Sequence, residues 1–256
     1  MTKTFAGLIV LVALLTLGLQ PQPITAAAPK VPRVMVALVF GQSNAANWGQ
    51  GRRTAGANVQ VFYKGRFYRA SDPIKGADGE GGSVWTRLGD KLIAAKLYDK
   101  VIFVPVARGG SEIVRWGPNG DLNGVLMDTI SATQKSKLKF THLFWHQGEA
   151  DNRLKTSGEV YKQEFLGMVK KIRAAGIDAP LYVATATICS EFKINPELRK
   201  AQTDVVNPAQ NTFAGPDTDT LGLELRHDWC HFNSKGLDQH ADLWLAILKQ
   251  QAQPSK

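Results

Sequence analysis

Short apolar runs alternate with amphipathic segments along most of this 256-residue chain. Residues 33–40 (RVMVALVF) are nearly all apolar and rich in β-branched side chains, which is typical of a strand buried on both faces. Residues 58–70 (NVQVFYKGRFYRA) alternate and turn at Lys64–Gly65, which predicts a small hairpin. Further strands are predicted at KVIFVPVARGG (100–110), FTHLFWHQGE (140–149), APLYVATATICS (179–190) and NTFAGPDTD (211–219).

Segments with helical periodicity separate these strands. One begins after Ser83, a residue type that caps helix amino termini. Another carries the capping box Thr156-x-x-Glu159 and ends at Gly176. The remaining predicted helices cover residues 123–136, a segment that opens at Asn195–Pro196, and residues 234–251. Because strands alternate with helices, we predict an α/β fold with a mainly parallel sheet covered on both faces.

Three predicted strands end in polar or glycine-rich residues. These ends read GQSN (41–44), ARGGS (107–111) and HQGEAD (146–151). In parallel α/β sheets the ligand site lies outside the carboxyl ends of the strands. We therefore expect these three segments to meet at one edge of the sheet.

The first 27 residues have the layout of a secretory signal peptide. Lys3 precedes a charge-free apolar run (5–19), and small residues follow, with cleavage predicted after Ala27. The alternative is an uncleaved anchor, but the run is shorter than the ~20 residues that a spanning helix needs. We predict export, one domain over residues 28–256, and no stable membrane insertion after cleavage.

Charge and cysteine content restrict the partners and the compartment. The formal net charge is +9, and loss of Lys3 with the signal peptide lowers it by one, to +8. Basic residues are scattered, so nucleic acid is not a predicted partner. Cys189 and Cys230 are the two cysteines, and in an exported chain a disulfide is the natural interpretation, with two buried thiols as the alternative. Nothing in the sequence indicates an oligomeric state.

Ser43, at the end of the first strand, is the candidate nucleophile. A serine hydroxyl needs a base to take its proton, and that base needs an acid to orient it. Asp228 precedes His231 by three residues in a short polar loop, so this pair can serve. The Ser43 backbone NH, Gly110 and the Gln147 side chain are candidate donors to an oxyanion.

Other interpretations of these residues remain open at this level. Ser43 does not stand in G-x-S-x-G, because residue 45 is alanine, and a serine after a strand is often only a turn residue. His142 and His146 lack the glutamate of H-E-x-x-H, and no P-loop is present, so no metal or cofactor is predicted. Trp48 and Trp229 flank the candidate catalytic residues, where an aromatic ring can stack on a sugar.

Four blocks together resemble a known family. FGQSNAANWG, ARGGS followed by RWG, WHQGEAD and DWCHFNSKG occur in the order found in the SGNH hydrolase superfamily. They look like its branch that holds carbohydrate esterase family six and the sialic-acid-specific acetylesterase (SASA) domain. The resemblance extends from about residue 34 to the final helix. It implies a three-layer α/β/α flavodoxin-like fold and a metal-free acetylesterase that acts on acetylated carbohydrate.

The resemblance also implies roles for single residues. Ser43 corresponds to the nucleophile, His231 to the base and Asp228 to its orienting acid. Gly110 and Gln147 correspond to oxyanion donors.

The chain departs from the family pattern in places. Ala45 replaces a methionine that often follows GQSN, and Glu149 is a second carboxylate that competes with Asp228 for His231. Arg108 favours an acidic substrate or forms a salt bridge. The candidate substrate contacts are Gln42, Asn44, Trp48, Arg108, Glu149 and Trp229. The function indicated is an exported serine esterase for O-acetylated carbohydrate, and the alternatives are a non-catalytic carbohydrate-binding domain or an SGNH lipase or thioesterase.

Overall fold

One twisted sheet runs through the protein in the computed structural model, which describes residues 1–2, 31–191 and 193–251. The predicted signal peptide and its cleavage site lie outside the described residues. Within them the strands are β1 (Val34–Gly41), β2 (Val59–Tyr63), β3 (Arg66–Arg69), β4 (Lys100–Ala107), β5 (His142–His146), β6 (Leu181–Thr185) and β7 (Thr212–Asp217). The helices are α1 (Val84–Ala94), α2 (Ile113–Trp116), α3 (Asp121–Lys135), α4 (Glu149–Leu154), α5 (Gly158–Ala174), α6 (Pro196–Asp204) and α7 (Ser234–Gln251).

The sheet order is β3-β2-β4-β1-β5-β6-β7. All neighbouring strands are parallel except β2 and β3, which pair antiparallel as the predicted hairpin. Strand β1 lies between β4 and β5, so the chain leaves it in one direction and later returns to its other side. The carboxyl ends of β1, β4 and β5 therefore form the switch point at which such sheets bind ligands.

Alternate side chains of β1 enter two separate apolar cores. Met35, Ala37 and Val39 face a core that α1 and α7 complete, while Val36 and Leu38 face one that α2, α3, α5 and α6 complete. Both faces of the sheet are thus covered, which explains why β1 is an almost unbroken apolar run. The predicted mainly parallel three-layer α/β/α arrangement is confirmed.

Some helix and strand boundaries differ from the prediction, because a few hydrogen bonds decide where each element begins or ends. Helix α5 is capped by Ser157, whose Oγ accepts from the Val160 NH, and not by Thr156. Strand β6 ends at Thr185, before residue 190. Helices α2 and α4 were not predicted, because four and six residues are too few to show helical periodicity.

Candidate active site

Ser43 stands directly beyond the end of β1, where the backbone turns sharply. Gly41 has a φ of +132°, and a Cβ there would lie 2.0 Å from the His146 carbonyl oxygen, so only glycine fits. Residues Ser43–Ala45 then form a single 3₁₀ turn. Ser43 is nearly buried, and the part of it that is exposed lines a cavity.

This cavity has a volume of about 350 Å³ and opens at the carboxyl edge of the sheet. The three strand ends beyond β1, β4 and β5 all contribute to its wall, together with the loop after β6 and the loop before α7. Its lining residues are Gln42, Ser43, Trp48, Gly109, Gly110, Glu149, Ala150, Arg153, Cys189, Ser190, Cys230 and His231. The expected convergence of the strand ends is therefore present in the structure.

His231 and Asp228 form a close pair at this cavity. His231 Nδ1 lies 2.6 Å from Asp228 Oδ2, and the His231 backbone NH donates to Asp228 Oδ1 at 2.7 Å. Partial burial raises the pKa of Asp228, but the hydrogen bonds and charge of His231, together with the Cys230 NH, outweigh it and leave that pKa below its ordinary value. An ionised Asp228 keeps the proton of His231 on Nδ1, so Nε2 is free to accept one.

Ser43 and His231 line the same cavity but share no hydrogen bond. Among the hydrogen bonds of the described residues, none joins Ser43 Oγ to His231 Nε2. Such contacts are often long in the absence of substrate and shorten in the bound complex.

Trp48 covers one side of the histidine. Its indole ring stacks on the His231 ring at 5.3 Å between centroids, and it is 43% exposed. Asp78 Oδ1 accepts from Trp48 Nε1 at 3.1 Å and from the Gly109 NH at 2.9 Å. Asp78 thus joins the rim formed by Trp48 to the loop after β4.

A disulfide joins Cys189 to Cys230 and fixes the loop that carries His231. The predicted disulfide is confirmed, and closing a loop of this length is worth about 4 kcal/mol in the chain-entropy interpretation. The Arg226 guanidinium adds a second brace, since it donates to the Cys230 carbonyl at 2.5 Å and lies 4.3 Å from the centre of the Phe232 ring.

Glu149, the competing carboxylate, is engaged elsewhere. Its Oε1 accepts from Asn44 Nδ2 at 2.8 Å and lies 3.6 Å from His146 Nε2. His146 is fully buried, and burial lowers its pKa in spite of the nearby Glu149 charge. The carboxylate in contact with His231 is therefore that of Asp228.

Gln147 is not among the residues that line the cavity. It is fully buried, and its Nε2 donates to Ser111 O at 3.0 Å, to Gln42 Oε1 at 3.3 Å and to Asp151 Oδ2. An amide nitrogen with these acceptors is not available to a substrate. The role that the resemblance implies for Gln147 is therefore not supported by its position.

Gln42 offers an amide at a neighbouring strand end that does line the cavity. Its Oε1 accepts from the Ala150 NH at 3.0 Å and from the Gly148 NH at 3.3 Å, which fixes the orientation of the amide. Its Nε2 donates to none of the described residues, although Gln42 is 98% buried and lines the cavity. We infer that Gln42 Nε2 is directed into the cavity.

Three other predicted contacts do not reach the cavity. Arg108 donates through Nη1 to the carbonyls of Gly76 and Ala107 and borders a different depression. Asn44 is buried against Glu149, and Trp229 is 65% exposed outside the lining. Among the predicted substrate contacts, Gln42, Trp48 and Glu149 line the cavity.

Sequence reasoning missed Arg153 and Ser190, which line the cavity, and Asp78, which supports it. Arg153 follows the HQGEAD segment within one helical turn. Its place near the site could therefore have been predicted from the rule that ligands bind outside the carboxyl ends of parallel strands. Ser190 and Asp78 lie in loops whose course no periodic pattern predicts.

One group of side chains has ligand atoms close enough for a metal ion among the described residues. The candidate ligand atoms of His227, Asp228 and His231 lie within 4.8 Å of one another. Each is already engaged, since Asp228 and His231 bond to each other and His227 Nε2 lies 3.1 Å from the Trp48 carbonyl oxygen. The sequence prediction that no metal is used stays a prediction.

The buried carboxyl group of Asp151 makes the stability of the folded protein depend on pH. Burial raises its pKa to about 6, although Gln147 and the Ile113 NH donate to it. The unfolded-state value is about 3.9, so the folded protein binds this proton more tightly and is stabilised as pH falls from about 6 towards 4. We predict that the free energy of unfolding of the wild type rises by about 2 kcal/mol relative to Asp151→Asn between pH 7 and pH 4.

Denaturant titrations of both proteins across this range provide the measurement. Other groups, including His146 and His240, titrate in both proteins and cancel in the difference. Parallel stability curves would show that Asp151 ionises in the folded protein as easily as in the unfolded chain.

Comparisons with known proteins identify the family. The family model described as carbohydrate esterase, sialic acid-specific acetylesterase, matches residues 33–245. A protein from Arabidopsis thaliana is 18% identical with a TM-score of 0.69, over 87% of this chain and 99% of that one. NanS is 18% identical with a TM-score of 0.64, over 86% of this chain and 98% of its own. A carbohydrate acetylesterase from Xanthomonas citri is 18% identical with a TM-score of 0.57, over 84% of this chain and 55% of that one.

At these identities the solved structures show a shared fold, and no curated protein sequence matches the chain. The family match covers the strand ends and the Asp228–His231 loop that form the cavity. The resemblance noted in the sequence is thereby confirmed, and the chain belongs to the carbohydrate esterase family of sialic acid-specific acetylesterases, with the SGNH-type hydrolase fold.

Proposed function

We propose that this protein is an exported serine esterase that removes O-acetyl groups from carbohydrates through an acyl-enzyme on Ser43. The observation that carries the proposal is the Asp228–His231 pair, which lines one cavity with Ser43 at the switch point of the sheet. Membership of a carbohydrate esterase family supports the class of substrate.

The reaction proceeds in two halves. His231 Nε2 takes the proton of Ser43 Oγ as that oxygen attacks the acetyl carbonyl carbon, and the same nitrogen returns the proton to the departing sugar oxygen. Water then enters, loses a proton to His231 and attacks the acetyl carbonyl carbon. The bond from that carbon to Ser43 Oγ breaks, acetate leaves, and His231 returns the proton to Oγ. Asp228 keeps its charge throughout and stabilises the imidazolium.

The developing oxyanion has two backbone donors in this arrangement. The NH groups of Ser43 and Gly110 donate to none of the described residues, whereas the Gly109 NH is bound by Asp78. Gly110, with a φ of +66°, presents no side chain in front of its NH. These free NH groups support Ser43 and Gly110 as donors.

We assign the third donor to the amide of Gln42. In Gln42→Glu the acceptor oxygen is retained and the donor is lost, so we predict that kcat for acetyl esters falls about 100-fold or more. Steady-state kinetics on one acetyl ester measures this. The comparison variant Gln147→Leu removes a buried amide, and its main expected effect is on thermal stability. Retention of kcat within about threefold in Gln42→Glu would remove Gln42 from the oxyanion site.

Export rests on two features. The chain begins with the pattern of a signal peptide, and the described residues contain a disulfide, which persists in oxidising compartments. Among residues 31–191 and 193–251, no helix has the length and apolar character needed to cross a membrane. The amino terminus of protein recovered outside the cytoplasm is expected to be Ala28.

The proposed activity is tested by acetate release. Purified protein is incubated with acetylated xylan, an O-acetylated sialic acid and p-nitrophenyl acetate, and acetate is measured directly. We expect release from at least one acetylated carbohydrate, with Ser43→Ala purified in parallel to exclude host esterases. A protein that releases no acetate from any of the three is not an acetylesterase.

A further inference from the structure

An unpaired arginine lines the cavity that holds Ser43 and His231. Arg153, in the last turn of α4, is exposed, and its guanidinium forms no hydrogen bond or ion pair with any described residue. An arginine side chain without a partner, beside a candidate catalytic serine, is available to a group on the substrate.

The carboxylates around this cavity contact groups other than Arg153. Glu149 accepts from Asn44, Asp78 accepts from the Gly109 NH, and Asp228 pairs with His231. None of these carboxylates lies within ion-pairing distance of Arg153. On the wall formed by α4 the cavity therefore presents one guanidinium that is not paired with a carboxylate of the described residues, while the Glu149 carboxylate lines the same cavity.

The backbone that carries Arg153 is held in place. The neighbouring Asn152 donates through Nδ2 to the carbonyls of Thr187 and Lys193, at 2.8 Å each, which ties α4 to the loop after β6. That loop is tied in turn to the His231 loop by the disulfide. The guanidinium is thus attached to a fixed point relative to the catalytic residues, which is what a binding residue requires.

We propose that Arg153 binds a carboxylate on the substrate, and that acetylated acidic sugars are therefore hydrolysed in preference to neutral ones. A planar guanidinium matches the geometry of a carboxylate and binds it through two parallel hydrogen bonds. This inference rests on the proposed acetylesterase function and deepens it. Arg108, which the sequence favoured for this task, is bound to backbone carbonyls away from the cavity.

Two matched substrate pairs separate the carboxylate from the rest of the sugar. One is an O-acetylated methyl glucuronoside with the corresponding methyl glucoside, and the other is an O-acetylated N-acetylneuraminic acid with its methyl ester. Acetate release gives the ratio of kcat/KM for the acid over its neutral counterpart. We expect this ratio to be about 10 to 100 in at least one pair, from the typical strength of a hydrogen bond to a charged group.

Arg153→Gln should reduce that ratio to within about threefold of one, because only the charged member of the pair uses the guanidinium. Lys155→Asn is the matched control, since it removes one positive charge two residues away and outside the cavity lining, at a left-handed position that asparagine tolerates. In this control the ratio should stay at its wild-type value. Added salt should lower the ratio of the wild type and leave that of Arg153→Gln constant.

The outcomes distinguish this inference from the activity on which it rests. If acetate is released but the wild-type ratio is near one in both pairs, or Arg153→Gln keeps the wild-type ratio, Arg153 does not bind a carboxylate. An equal fall in Lys155→Asn would reduce the effect to general surface charge and also overturn the assignment. If no acetyl ester is hydrolysed at all, the proposed function itself fails.

Discussion

Replacement of Ser43 by alanine is expected to lower kcat for acetyl ester hydrolysis by at least about 10⁴-fold, the scale seen when a catalytic serine is removed. The reason is that no acyl-enzyme can form without the Oγ that stands at the end of β1. The Gly41 turn and the short 3₁₀ segment are formed by the backbone and not by the Ser43 side chain, so the fold should persist in this variant. Steady-state kinetics together with a thermal unfolding curve measures both quantities.

A second serine in the same cavity provides the control. Ser190 has a φ of +55°, so Ser190→Gly removes a hydroxyl and also fits the left-handed backbone. We expect this variant to retain activity within about threefold, since its hydroxyl takes no part in the reaction scheme. A phosphonate ester reagent should add one label to the wild type, on Ser43, and none to Ser43→Ala. Labelling of Ser190, or full activity in Ser43→Ala, would refute the mechanism.

Asp228→Asn is expected to lower kcat by about 10³- to 10⁴-fold, as loss of the orienting carboxylate does in serine hydrolases. An asparagine at the 2.6 Å contact with His231 Nδ1 favours the tautomer with its proton on Nε2, which can no longer accept the Ser43 proton. Because the pKa of Asp228 lies below its ordinary value, its charge is lost only as pH falls through that lowered pKa. The acid limb of the wild-type kcat profile should therefore not arise from protonation of Asp228.

Glu149→Gln tests the competing carboxylate. Its charge lies beside Asn44 and His146 and does not contact His231, so kcat should fall by less than about tenfold. The two variants should be compared at equal stability, measured by denaturant titration, because both positions accept hydrogen bonds. A larger loss in Glu149→Gln than in Asp228→Asn would assign the orienting role to Glu149.

The sequence was sufficient for the parts of this protein that depend on local pattern. The apolar run of β1, the hairpin at Lys64–Gly65 and the long helix α7 follow from periodicity and turn chemistry, which act between near neighbours. The Asp228–His231 contact is local too, because the two residues are three apart in one loop. The parallel order of the strands then places their carboxyl ends together without knowledge of any single contact.

Only the tertiary structure decided which of several similar side chains reaches the cavity. Gln42 and Gln147 lie at neighbouring strand ends. The NH groups of Gly148 and Ala150 orient the amide of Gln42, which lines the cavity. The amide of Gln147 instead donates to Ser111 and Asp151 and does not line the cavity. Backbone carbonyls hold the Arg108 guanidinium away from the cavity, whereas the guanidinium of Arg153 is left free at its wall.

The physical reason is the range of the interactions. The direction in which a polar side chain points depends on donors and acceptors from segments far away in sequence. A change in one of these partners can turn the side chain the other way. The sequence by itself therefore determined the fold class, the candidate nucleophile and the acid–histidine pair. Packing between distant segments determined which amide and which arginine line the cavity.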